Sequence, residues 1–354
     1  MKILVVSLAG IGDTLLATPL IRELRSNFPA ARIEALVLWG GARDLLEGNP
    51  HLDQIHCCNF FKQSKRESME FLIKLRKRNF DVSINTHPQS RVHYRLVARI
   101  IGARTRISHI YECSGLLDRL LVNQTLKQDY TRHTVEQNLD LLTLLGAKPL
   151  LAEHKTETFL SKANWDWANG FLSERRLSGR KLLGVHTGSG GTKNLRLKRW
   201  PIESYLQLFK ALKQSRPDLS TIFFGGPEEA GEIQKIIVET GSPLAFHAAT
   251  KNLKEAAALM SKCDAFLSVD TALMHLAAAM KVPNQIVIEA PTLNATNLPY
   301  GNNYTLIENP AVHGRNLEYY RYDGKGIQGT REELVSCMKS VSVGKVEEVL
   351  QKLF

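Results

Sequence analysis

The chain has 354 residues, 44% hydrophobic and 23% charged, with 24 Gly, 13 Pro and no low-complexity tract, a composition that excludes disordered, collagen-like and coiled-coil architectures. At roughly 100 to 200 residues per domain, the length favours two domains. The net charge of +11 leans to the amino half, where residues 1–150 hold 21 Lys and Arg against 14 Asp and Glu; it suits phosphate-rich partners, meaning anionic lipid, nucleic acid or phosphorylated glycan, without choosing among them.

Strand-like apolar runs alternate with helix-period segments, the pattern of parallel sheets covered by helices. The first run, Lys2 to Leu8, is followed by Asp13 and Pro19 where a leader peptide would need a small-residue cleavage site, so it reads as a strand. Strands at Arg32 to Leu38, Gln54 to Asn59, Asp81 to Asn85 and Thr105 to Ser108 follow, with helices at Ser68 to Arg78 and Thr134 to Leu145. Gly146 to Lys155, with Pro149, reads as a linker. A helix from Ser161 opens a second series, with strands at Lys181 to Thr187, Thr221 to Phe224, Ala265 to Val269 and Gln285 to Ile288. No run approaches the ~18 apolar residues of a membrane span. Five cysteines without a paired Cys-x-x-Cys spacing point to a reducing cytosol and no zinc site.

The loops after the strands are where ligands bind in open parallel sheets. Gly10-Ile11-Gly12-Asp13-Thr14 allows a tight turn into a helix start that offers amide groups to an anion. Bulky Leu15 stands where a dinucleotide fingerprint needs its third Gly. Asp13 is placed either to cap that helix or to act as a general base. Lys62, Lys65, Arg66, Lys74, Arg76, Lys77 and Arg78 form a basic cluster, either a solvated face or a surface for an anionic acceptor or membrane.

In the second series, Thr187-Gly188-Ser189-Gly190-Gly191-Thr192-Lys193 resembles a phosphate cradle but lacks the P-loop's Gly before Lys. Lys198 and Arg199 precede Trp200-Pro201, with Pro201 suited to open a helix running to about Ser215. Those two cations belong either to a solvated loop or to a site. In Gly225-Gly226-Pro227-Glu228-Glu229 an acid either contacts ribose or favours a helix start. Asp270 or Thr271 can cap an Ala-rich helix, leaving the amides of Thr271, Ala272 and Leu273 toward an anion. His275, one turn in, is either structural or a phosphate or ribose contact.

Together these segments resemble the heptosyltransferase family, the family 9 glycosyltransferases of bacterial lipopolysaccharide core assembly. The likeness spans nearly the whole chain and rests on the order and spacing of Gly10 to Pro19, Lys198-Arg199-Trp200-Pro201, Asp270 to Ala277 and Ala290-Pro291-Thr292. It implies an α/β GT-B fold of two facing Rossmann-like doubly wound domains. Residues 1–150 would take the acceptor and 161–354 the nucleotide sugar, with the last helix packing back on the amino-terminal domain. It also implies a cytoplasmic, inverting transferase that moves a heptose-like sugar from an ADP-sugar to an anionic lipid-linked glycan, in peripheral contact with the inner membrane. No metal, other cofactor or nucleic acid is expected.

By position, Asp13 matches the family's base and Lys198 the lysine that meets the diphosphate. Thr187, Ser189, Asp270, Thr271, Ala272, Leu273 and His275 fall on the donor side. Glu228 matches the ribose-contacting acid, with neighbouring Glu229 left open by the spacing. Gly12, Lys62 and Arg66 are the acceptor-side candidates. The family's usual Gly is Ala at positions 272 and 290, where an added methyl would narrow a ligand's approach, and Asn309 to Thr330 has no match in the common pattern. Alternative readings are an epimerase or hydrolase of nucleotide sugars on the same scaffold, or a non-catalytic nucleotide- or glycan-binding module.

Overall fold

The structure, a computed structural model, describes residues 1–189 and 194–354, so Gly190, Gly191, Thr192 and Lys193 of the glycine-rich loop lie outside the described residues. The chain divides into two compact units, one of Met1–Phe159 with Tyr322–Lys325 and one of Leu160–Arg321 with Gly326–Phe354.

The first unit holds six parallel strands, β1 (Lys2–Ser7), β2 (Arg32–Val37), β3 (Gln54–Cys57), β4 (Val82–Asn85), β5 (Thr105–Ile110) and β6 (Gln124–Lys127), in the order β3-β2-β1-β4-β5-β6. The second holds β7 (Leu182–His186), β8 (Ser220–Phe224), β9 (Ala245–Ala248), β10 (Ala265–Ser268), β11 (Asn284–Ile288) and β12 (Tyr304–Ile307), in the order β12-β11-β10-β7-β8-β9. Read from the other edge, this is the same doubly wound order as the first. The units therefore repeat a topology that their sequences do not repeat. Both sheets reverse strand order beside their first strand, between β1 and β4 and between β7 and β10, and such switch points open a crevice at the strands' carboxyl ends.

Burial explains which strands the sequence reveals. Ile3 to Val6 of central β1 are all fully buried, as a strand covered by helices on both faces requires. The edge strands β3, β6, β9 and β12 have four residues each and little or mixed burial; of these the sequence reveals β3 alone. The helix expected at Ser68 to Arg78 begins earlier, at Lys65–Arg76, because Ser64 and Glu67 close a capping box ahead of it. The segment expected as a linker is bound to the first unit instead: the buried Glu23 carboxylate accepts the amides of Leu150 and Leu151 at 2.9 and 2.8 Å.

The last helix, Val343–Leu353, is counted in the second unit, where it packs against the helix Ile202–Ser215 and buries Val346 and Leu350 in that unit's core. What joins the first unit is the short segment Tyr322–Lys325, from the stretch that the sequence left unmatched. The Tyr322 amide donates to Tyr130 Oη at 2.9 Å, the two rings stack, and Arg91 donates to the Gly324 carbonyl at 2.8 Å. Gly324 has φ +85°, a backbone conformation that suits glycine. Among the described residues, no helix is long and apolar enough to cross a membrane.

Candidate active site

In the first unit, the chain leaves β1 and turns at Gly10 into the helix Ile11–Leu16. Asp13 is the third residue of that helix, and its Oδ2 accepts the Gly10 amide at 2.6 Å. A Cβ on Gly10 would lie 2.8 Å from the same oxygen, so only glycine leaves the carboxylate where it stands. Ser7 and Thr14 hydroxyls meet at 3.1 Å and tie the helix's first turn to the strand. Trp39, after β2, donates to the Ala9 carbonyl at 2.8 Å and stacks on Phe61, after β3.

From the other side of the switch point, Thr86 donates its amide to the Val6 carbonyl, and the Gln89 amide donates to Tyr111 Oη at 2.8 Å. Tyr111 Oη also meets His87 Nδ1 at 3.2 Å. Burial raises the Tyr94 and Tyr111 hydroxyl pKa values, and the Asp13 charge adds to both. Burial also pushes the His109 imidazole down to about 4, and burial followed by the His109 and His133 charges takes His87 well below its usual value, so both are neutral near pH 7. Beneath this loop Arg95 is fully buried. It donates to the Gln89 and Ser90 carbonyls and, at 2.6 Å, to Asp118.

In the second unit, β7 ends at His186 and β10 is followed by Asp270 and Thr271. Thr271 caps the helix Ala272–Ala279 by accepting the Met274 amide, and its Oγ1 meets His186 Nδ1 at 3.1 Å. Burial, then the Arg199 and Lys198 charges, hold His186 down at about 3, which makes it a neutral partner. Lys198 and Asp270 are both buried and meet at 3.0 Å, and Thr292 Oγ1 donates to the same carboxylate oxygen at 2.5 Å. Burial alone would raise the Asp270 pKa; the Lys198 charge, the Thr292 hydrogen bond and the His275 charge outweigh it and hold the group below its usual range.

Arg199 donates to the Ser189 carbonyl at 2.8 Å and to Glu229 at 3.1 Å. The Glu229 carboxylate also accepts the Gly226 amide at 2.9 Å, and a Cβ on Gly188 would meet it at 2.6 Å. Glu229 is thus built into the loop that carries Thr187 and Ser189. Glu228, by contrast, is 66% exposed and faces Arg196 at 3.7 Å. Thr187 borders a cleft of about 410 Å³ whose walls include Arg196, Arg199, Arg331 and Lys339. Its buried Oγ1 has no hydrogen-bond partner among the described residues. Among those residues, no three His, Cys, Asp or Glu side chains gather closely enough to hold a metal ion.

Each unit thus has a switch-point crevice, the first with a carboxylate at a glycine turn and the second with a buried lysine beside a helix start. Residues 69–322 match glycosyltransferase family 9 (heptosyltransferase). The chain belongs to glycosyltransferase family 9. It is similar to lipopolysaccharide heptosyltransferase 3 of Escherichia coli K12, with 28% identity over 280 residues that cover 77% of this chain and 78% of that protein. Among solved structures, the glycosyl transferase family 9 protein of Veillonella parvula aligns with TM-score 0.77 and 21% identity over 99% of this chain and 96% of that one. The E. coli ADP-heptose lps heptosyltransferase II aligns with TM-score 0.71 and 20% identity over 100% and 98%. The family 9 chain accordingly has the GT-B fold, α/β with two Rossmann-like units.

Of the donor-side residues expected in this family 9 protein, Thr187, Ser189, Lys198, Asp270, Thr271, Ala272, Leu273 and His275 lie in the second unit on the loops after β7 and β10 and on the helix start they frame. The reading of Lys198 and Arg199 as a solvated loop fails, since both are bonded into this cluster. Ala290 does not narrow a ligand's path, because its side chain belongs to the hydrophobic core. In the first unit, Gly12 is buried in the Asp13 helix, while Lys62 and Arg66 are exposed and Arg66 pairs with Glu70 at 2.9 Å. Arg78 leaves the basic cluster: with His56 and Arg32 it surrounds buried Glu34. Sequence reasoning missed His186, and it missed His87, Gln89, Tyr111 and Arg95. They are polar residues at or near strand ends, and only the placement of β4 and β5 beside β1 brings the last four together.

Proposed function

We propose that this chain is an inverting, metal-independent heptosyltransferase that moves heptose from ADP-heptose to an acceptor of the lipopolysaccharide core. The observation that carries this reading is the Lys198, Asp270 and Thr292 cluster beside the start of the helix Ala272–Ala279. It offers one fixed ammonium and the unpaired amides of a helix end, which together match a diphosphate. The names of the related proteins support heptose as the sugar and ADP as its carrier.

Asp13, oriented by the Gly10 amide, takes the proton from the acceptor hydroxyl as that oxygen bonds to the anomeric carbon. The bond from that carbon to the diphosphate breaks in the same step, and its electron pair leaves on ADP. Lys198 and the amides of Thr271, Ala272 and Leu273 meet the charge that appears there, the work a metal would otherwise do. Thr187 and Ser189 contact the phosphates, His275 contributes from the helix's first turn, and Glu228 accepts the ribose hydroxyls. Gly12, Lys62 and Arg66 belong to the acceptor side. The acceptor is lipid-linked and the enzyme works at the cytoplasmic face of the inner membrane.

Calorimetric titration with ADP, UDP and GDP, each with and without EDTA, tests the donor. Selective ADP binding that survives EDTA is the expected result. Preference for UDP or GDP would replace the donor, and the absence of any binding would overturn the transferase reading in favour of a glycan-binding module.

A further inference from the structure

We propose that the outer face of three consecutive helices in the first unit, Lys65–Arg76, Val92–Ile101 and Leu116–Leu121, docks on an anionic lipid bilayer. The proposal deepens the reading of a lipid-linked acceptor and rests on it.

The apolar part comes from exposure that a folded chain ordinarily avoids. Among the described residues twelve large apolar side chains are exposed, and seven of them lie on these three helices. Leu116, Leu117 and Leu120 are 81%, 58% and 74% exposed. Single exposed leucines need no explanation, but a cluster marks a binding surface. The first helix packs against the second and the second against the third, so Val92 and Leu96, with Met69 and Ile73, extend the same layer.

The leucines cannot turn inward. On the opposite side of the helix Leu116–Leu121, Asp118 pairs with fully buried Arg95 and accepts the Gly115 amide at 2.8 Å, while Leu121 is buried. Rotating the helix would leave the Arg95 charge buried without its partner.

The charge fits one kind of surface. On the three helices six exposed cations, Lys65, Arg66, Lys74, Arg76, Arg99 and Arg119, stand against Glu67 and Glu70, a net +4, while buried Arg95 is cancelled by Asp118. Both of those Glu are already engaged, Glu67 with Ser64 and Glu70 with Arg66. Arg99 and Arg119 are exposed beside the leucines. An exposed leucine cluster on a net-basic face matches a bilayer, whose acyl boundary takes the apolar tips while its anionic headgroups take the cations. A second copy of this chain would bring like charge against like.

The test is flotation of the full-length protein with vesicles of phosphatidylcholine alone or with phosphatidylglycerol, read beside ADP titration and sedimentation. The wild type is expected to float with the anionic vesicles only. Leu116→Ser/Leu117→Ser/Leu120→Ser and Arg99→Glu/Arg119→Glu should each cut the bound fraction on the order of tenfold, as loss of either contribution requires, with ADP affinity unchanged. Wild-type protein that does not float, or leucine and arginine variants that float as it does, would overturn the proposal even where ADP binding stands. A wild-type dimer that the leucine variant converts to monomer would assign the face to self-association and also overturn it. Loss of ADP binding in the wild type would refute the donor reading instead, whatever the vesicles do.

Discussion

Lys198 and Asp270 lie 72 residues apart in the chain and meet at 3.0 Å in a site where each side chain is 9% exposed. Removing one member leaves the other charged and buried. Lys198→Ala should therefore lower stability by about 3–5 kcal/mol, weaken ADP binding and slow transfer. Asp270→Asn keeps the shape and removes the charge that holds Lys198 in place, so ADP affinity should fall even if the melting temperature recovers. Melting curves beside ADP titrations check both, and unchanged ADP affinity in both variants would remove the pair from the donor site.

Asp13 is held by Gly10, and that dependence can be tested from either residue. Asp13→Asn should nearly abolish turnover and leave ADP affinity intact. Gly10→Ala puts a methyl 2.8 Å from Oδ2, closer than the two atoms can sit, so the carboxylate must shift and kcat should fall while the Asp13 side chain is still present. Steady-state kinetics with ADP titration separate the two effects. A well-folded Asp13→Asn protein with wild-type turnover would return Asp13 to a capping role alone.

Glu228 and Glu229 should behave in opposite ways. Glu229→Gln weakens the Arg199 pair and loosens the loop of Thr187 and Ser189, so the melting temperature should drop. Glu228→Gln touches an exposed group, so it should leave stability within about 0.5 kcal/mol and weaken ADP binding. Full ADP affinity in Glu228→Gln would end its assignment to the ribose.

Acid should destabilise the fold well above the carboxylate range. His109 and His186 titrate in the folded chain near 4 and 3, against 6.5 for the ordinary side chain, and His87 is also shifted down. The unfolded chain takes up these protons first as pH falls. The stability of the neutral form is therefore full above about pH 6.5 and is lost below it, by up to about 1.4 kcal/mol per pH unit for each such His until its folded pKa is reached. Denaturant melts from pH 7 to 5 should show the decline, and His109→Gln should flatten the slope. A stability that is constant over that range would refute the neutral buried histidines.

The alternation of apolar runs with helical segments, Gly10 with Asp13, and the spacing to Lys198 and Asp270 were legible because each is a local pattern or a fixed order along the chain. The edge strands β6, β9 and β12 were not, since a strand of four half-exposed residues is defined by the neighbour it pairs with. The pattern favoured Glu228 and its spacing left Glu229 open, and what separates them is Arg199, which reaches Glu229 and not Glu228. Lys198 read equally well as a solvated cation, because nothing near it in sequence reveals that Asp270 and Thr292 will meet it.

The sequence by itself determined two doubly wound units, a family and the loops proposed to carry its chemistry, because backbone periodicity and glycine turns act over a few residues. The tertiary structure alone decided which charges are buried, which acid is engaged, that Tyr322–Lys325 belongs to the first unit, and that Leu116, Leu117 and Leu120 face outward. Each of these depends on a partner far along the chain, such as Arg95 for Asp118, and a buried charge is stable only where such a partner arrives.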